Sequence, residues 1–182
     1  MGSLRLVAIA LLLASPAFAQ SPTYGIGRTP SAEEVRAADI NIGPEGKELP
    51  PGRGSPKEGA KVFELQGCVV CHCAEGVGGL APALKSKTSQ DLPIWKRERM
   101  LPLRAPFATT VWDYVNRAMP FDQPGLLKPP EVYAVVAYIL NLNGIIGNDQ
   151  VMDAKSLPKV KMPNRDGFMA DPRPDVGKKA KR

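Results

Sequence analysis

All three cysteines of this 182-residue chain and its only histidine fall within seven residues, GCVVCHC from Gly67 to Cys73. Cys68 and Cys71 are three positions apart, so on a helix both thiols leave from the same face, with His72 directly behind them. A chain with one histidine cannot supply a pair of imidazoles to a metal, nor a spare imidazole for acid/base work. Whatever chemistry the chain performs must be organised around this segment.

Cys68-Val69-Val70-Cys71-His72 has the C-x-x-C-H pattern of covalent c-type haem attachment. Two thiols one helical turn apart reach the two vinyl groups of one haem, and the adjacent histidine is then held under the iron. A disulfide between Cys68 and Cys71 is the second reading, but a thiol exchange site calls for a βαβ context that the sequence does not offer. A zinc site from Cys68, Cys71, His72 and Cys73 would crowd four ligands into six residues, whereas structural zinc draws pairs from separate segments. Cys73 has no vinyl partner, which leaves it as a small residue packed beside the haem, a disulfide former or a redox-sensitive thiol.

The start of the chain fits that reading. MGSLRLVAIALLLASPAFAQ has a basic beginning, an apolar run from Leu6 to Leu13 and the small-residue signal Ala17-Phe18-Ala19, so residues 1–19 are expected to be a cleaved export signal. The apolar run is far shorter than the about 20 residues a spanning helix needs, and no later stretch is long enough either. The mature protein is expected to be soluble in a bacterial periplasm, with no membrane span after cleavage. The formal net charge of +6 comes from 24 basic and 18 acidic side chains, with four basic residues in the closing GKKAKR. No basic stripe interleaved with aromatics is present, so nucleic acid is not an expected partner.

Composition divides the rest. Residues 20–54 are rich in proline and glycine and predict an extended N-terminal arm, with SAEEVRAADI its one helical stretch. Residues 55–147 carry periodic apolar segments and predict the haem domain. Residues 148–182 turn proline- and lysine-studded again, an arm lying over the domain or over a partner, with a frayed end.

Three helices are legible in the domain. One starts at Pro56, with Ser55 as cap and Glu58 completing a capping box, and should run into the cysteine motif. A second is expected from Thr110, boxed by Asp113, with Val111, Tyr114, Val115 and Ala118 on its buried face and a stop at Met119-Pro120. The third opens at Pro129-Pro130-Glu131, carries Val132, Val135, Val136, Ile139 and Leu140 on one stripe, and ends at Asn143-Gly144. With no convincing strand, the fold class is all-α.

The second axial ligand of a haem iron must then be sought among the methionines. Met119 is favoured because it ends an amphipathic helix inside the domain and is followed by Pro120 in a loop able to turn across the haem. Met100 is the runner-up, and Met152, Met162 and Met169 lie in the arm; core filling is the other use of each. His72 also needs its second ring nitrogen tied, for which the backbone carbonyl of Pro82 in GGLAPAL is the candidate.

Gly59 and Phe63, the C-x-x-C-H motif, Pro82 with Leu84, Met119-Pro120 and the late helix with Tyr138 together resemble class I cytochrome c. The resemblance implies three to four helices around one covalently bound haem c, with Gly59 and Phe63 packing on Val135 and Tyr138. TTVWDYVNRAMPF, PPEVYAVVAYILNLNGI, YGIGRTPSAEEV, LPPGRGS and LPKVKMPNRDGF are similar to the cytochrome subunit of bacterial sulfite dehydrogenases and the related haem domain of the periplasmic sulfur-oxidising system. Cys73 and the uncapped LLKPPEV depart from that pattern. The resemblance implies a molybdenum-cofactor, sulfite-oxidising partner subunit and a downstream cytochrome c or oxidase. The chain would carry electrons and not perform oxygen-atom chemistry alone. A free-standing carrier, or a haem peroxidase or gas binder with an open iron site, are the alternatives.

Overall fold

Ser55 opens the helix that precedes the cysteine motif. Its hydroxyl accepts from the Glu58 amide while the Glu58 carboxylate accepts from the Ser55 amide at 2.8 Å, the reciprocal box expected from the sequence. The computed structural model of the chain describes residues 24–169 and 172–173; the expected leader at 1–19 and the last nine residues lie outside them. The chain divides into two compact units, Met1–Ala38 and Asp39–Arg182. In the first, α1 (Ala32–Ala38) is capped by Ser31 and Glu34, and none of its residues is buried.

The second unit contains α2 (Pro56–Leu65), α3 (Cys68–His72), α4 (Leu101–Arg104), α5 (Ala108–Ala118) and α6 (Pro129–Leu142). Two residues of β1 (Arg53–Gly54) pair antiparallel with β2 (Met152–Asp153), a small bridge that the sequence reading did not anticipate. The structure is otherwise helical, in agreement with the all-α expectation. No helix among the described residues is long and apolar enough to cross a membrane.

Helix α6 is the centre of this unit. Val132, Val135, Val136, Ile139 and Leu140 are buried as the stripe predicts, and Tyr133, Ala134 and Ala137 are buried with them, so the helix is enclosed on nearly every side. Each large apolar side chain so enclosed contributes about 1.5–3 kcal/mol. Helix α2 crosses α6 at Gly59, where a Cβ would lie 1.9 Å from the Ala134 carbonyl oxygen and 2.7 Å from Cβ of Tyr138. The expected pairing of Phe63 with Tyr138 is present as an edge-on ring contact at 5.5 Å. Gly59 itself meets Ala134, one residue before the expected Val135.

Two local expectations are corrected. Helix α5 starts at Ala108, and Asp113 is not its cap: Asp113 accepts from the Ile42 amide at 3.1 Å and pairs with Arg117. A long-range demand for the carboxylate outcompetes the local one. The face of α5 is also rotated, because Trp112 is buried against Tyr133 with ring centroids 5.5 Å apart, while Tyr114 is exposed. The first helix does not run into the cysteine motif either. It stops at Leu65, and Gly67 at φ 71° redirects the chain before α3 begins, a left-handed conformation that glycine adopts without steric cost.

Segments flanking the helices belong to the same core. Met152, Leu157, Val160 and Met162 are buried, and the Asn164 side chain donates to the Arg104 carbonyl at 2.8 Å. The stretch after residue 147 therefore lies on its own domain as far as Asn164. On the other side Leu49 is buried, and the Tyr133 hydroxyl donates to the Pro50 carbonyl at 3.0 Å. Burial, with Asp153 nearby, pushes the Tyr133 phenol up to about 12, so this tether stays protonated.

Candidate haem site

Helix α3 consists of the motif residues alone, Cys68 to His72. Cys68 and Cys71 stand one turn apart with free, half-buried thiols. Burial pushes the Cys68 thiol up from its ordinary value, so it stays a neutral thiol. Among the described residues no three His, Cys, Asp or Glu side chains are arranged to hold a metal ion, so residues 68–73 do not converge as a zinc site would require.

The imidazole of His72 is held from one side. Its Nδ1 lies 2.8 Å from the carbonyl oxygen of Pro82, which can only accept, so the proton sits on Nδ1 and the Nε2 lone pair is left open. The carbonyl is held in turn by backbone bonds: Ala81 donates to Cys71 O at 2.9 Å, Gly78 to His72 O at 2.9 Å and Leu84 to Gly76 O at 2.8 Å. The Phe63 ring stands 6.4 Å from the imidazole.

Met119 terminates α5, its amide donating to the Val115 carbonyl at 3.1 Å, and its bond to Pro120 is cis. Its side chain is half-buried at the margin of the core, as are Cys68, Leu84 and Tyr138. The other methionines are differently used. Met100, Met152 and Met162 are buried in the core, and Met169 is 91% exposed. Cys73 ends α3 at φ 58° and ψ 173°, a region that side-chain-bearing residues avoid. Its Sγ fills the space a Cβ on Gly79 would take.

The donor set tests whether a haem suits this shell: Cys68 and Cys71 offer free thiols one turn apart, and His72 is engaged through Nδ1 alone. The residues present fit the group.

Free thiols at one-turn spacing, beside an imidazole engaged through Nδ1 alone, are a set of residues that could hold a covalently attached haem. Within an all-α shell this arrangement defines a class I c-type haem protein. Comparison with known proteins agrees. Residues 56–143 match the family model described as Cytochrome c, and the chain belongs to the cytochrome c family, with haem c as its covalently bound cofactor. It is also similar to a chain in the crystal structure of the sulfane dehydrogenase SoxCD from Paracoccus pantotrophus, at 30% identity and a TM-score of 0.67, covering 86% of this chain and 76% of that one. No curated protein sequence matches the chain.

Proposed function

We propose that this electron-transfer protein is a periplasmic monohaem subunit that receives single electrons from a molybdenum-cofactor subunit oxidising sulfite or a related sulfur compound. It passes them to a downstream cytochrome c or oxidase. The observation that carries this reading is the extent of the likeness to the SoxCD chain: 86% of this chain, well beyond residues 56–143 of the family model.

Bound haem c supplies a one-electron ferric/ferrous couple. In this reading Cys68 and Cys71 would hold the haem through thioether bonds, and Nε2 of His72, with the ring oriented by the Nδ1–H bond to Pro82, would ligate its iron. The Met119 thioether would be a second ligand, a soft donor that would favour ferrous iron and raise the potential. The apolar shell of Phe63, Leu84 and Tyr138 keeps water from the centre and disfavours the extra charge of the ferric state. No second histidine is present to assist acid/base chemistry, so the substrate step belongs to the partner.

The test is reduction of the purified haem protein by a co-expressed molybdenum subunit on addition of sulfite or thiosulfate. Haem reduction that depends on both partner and substrate supports the reading. Co-purification without any molybdenum protein, together with no substrate-dependent reduction, overturns it in favour of a free-standing carrier. That second reading has one observation on its side: the segment 148–164 packs into its own core, with Met152, Leu157 and Met162 buried, and is not held in reserve for a partner.

A further inference from the structure

Asn143 follows the last turn of α6, is 4% exposed, and spends its whole carboxamide on hydrogen bonds. Nδ2 donates to the Ile139 carbonyl at 2.9 Å and to the Leu84 carbonyl at 2.7 Å, and Oδ1 accepts from the Ser86 amide at 3.0 Å. The first of these caps the helix. The other two reach a segment 57 and 59 positions earlier in the chain, and a helix end does not need them.

That segment is the far end of the loop that carries Pro82. Leu84 is two residues beyond the carbonyl that accepts from His72. The loop's backbone bonds run to Cys71, His72 and Gly76, so they tie it to the motif region and would move with it. Asn143 ties it to α6, whose Val132, Val136 and Leu140 are fully enclosed. A carboxamide anchored there is a fixed reference against which the Pro82 carbonyl is set.

We propose that Asn143 is a positioning residue for His72: by clamping Leu84 and Ser86 to α6 it fixes the Pro82 carbonyl, and through the Nδ1–H bond it sets the plane and basicity of the imidazole. A well-placed acceptor draws the Nδ1 proton and makes Nε2 a stronger donor. Releasing the clamp weakens that pull and stabilises ferrous relative to ferric iron. This rests on the reading of His72 as axial ligand.

The experiment compares four holoproteins: wild type, Asn143→Ala, Asn143→Ser and Asn141→Ala. A serine at 143 can still back-bond to the Ile139 carbonyl but is too short to reach Leu84 and Ser86, so it keeps the cap and removes the clamp. Asn141→Ala is the control, because its side chain donates to Ile146 and Asn148 near the same helix end without touching the loop. Potentiometry, haem-methyl resonances of the ferric protein and hydrogen exchange at the Ser86 amide are read for each. The expected result is an upward potential shift, altered methyl spacing and faster Ser86 exchange in both Asn143 variants, with Asn141→Ala unchanged in all three. Equal behaviour of the Asn141 and Asn143 variants, or an unchanged potential and methyl pattern in Asn143→Ser, overturns the proposal. If Asn143→Ala does not fold, Asn143→Ser decides alone. Absence of hyperfine-shifted His72 ring resonances in the wild type overturns the ligand reading itself, and the proposal with it.

Discussion

Gly59 of α2 and Ala134 of α6 meet backbone to backbone: a Cβ on Gly59 would stand 1.9 Å from the Ala134 carbonyl oxygen and 2.5 Å from its carbon. The obstacle is main chain of the most enclosed helix in the unit, so it cannot swing aside as a side-chain tip would. Gly59→Ala should lower the unfolding free energy of the holoprotein by about 3 kcal/mol, at the upper end of the range for overpacking. Denaturant titration followed by far-UV circular dichroism measures it, and a loss below about 1 kcal/mol would show that the crossing is looser than the geometry requires.

Met119→Ala tests the axial thioether. The oxidised protein should lose the far-red sulfur-to-iron absorption band, bind cyanide faster and shift to a lower potential, while one haem stays attached. A band that survives the substitution assigns the ligand elsewhere, with Met100 next to be replaced.

Cys73 occupies φ 58°, ψ 173° at the end of α3, where a glycine carries no penalty from a side chain. Cys73→Gly should therefore raise stability by about 1 kcal/mol, the low end of the cost of such a conformation, because some packing on Gly79 is lost. Haem content should remain one per chain, and thiol labelling of the wild-type holoprotein should find one free cysteine. Loss of haem in Cys73→Gly would contradict attachment through Cys68 and Cys71.

Glu98 gathers the segment after the histidine loop: its carboxylate accepts from the Ser86 and Thr88 hydroxyls and from the Lys87 amide at 2.9 Å and the Thr88 amide at 3.1 Å. These bonds, the Ser86 and Thr88 hydroxyls foremost, hold its carboxyl down from 4.5 to about 2. Because the folded value is depressed, the stabilisation is present above pH 4.5 and is lost as pH falls toward 2. Amide exchange at Lys87 and Thr88 should quicken across that window. In Glu98→Gln it should be fast at neutral pH, and a protected loop in that variant would sink the assignment.

The parts of this fold that were legible in advance are those settled within one helical turn. Ser55, Pro56 and Glu58 announce the start of α2 because both partners of the capping box are three residues apart. The buried stripe of α6 shows itself in the spacing of its valines. Asp113 misleads for the opposite reason. Its position resembles a cap, but its acceptor capacity is taken by Ile42, 71 residues earlier. Trp112 was missed and Tyr114 over-read because the choice of face on α5 depends on where Tyr133 lies.

The sequence by itself determined the chemistry: two thiols and one imidazole in adjacent positions admit a covalent haem, and a count of one histidine excludes a second imidazole from this chain. Those constraints need only covalent connectivity and helix pitch. Only the tertiary structure decided which nitrogen of His72 is engaged, that Met152 and Met162 are consumed by the core, and that Asn143 grips a loop 57 to 59 residues away. Such pairings are set by which enclosed surfaces the whole chain brings together, and no local spacing records them.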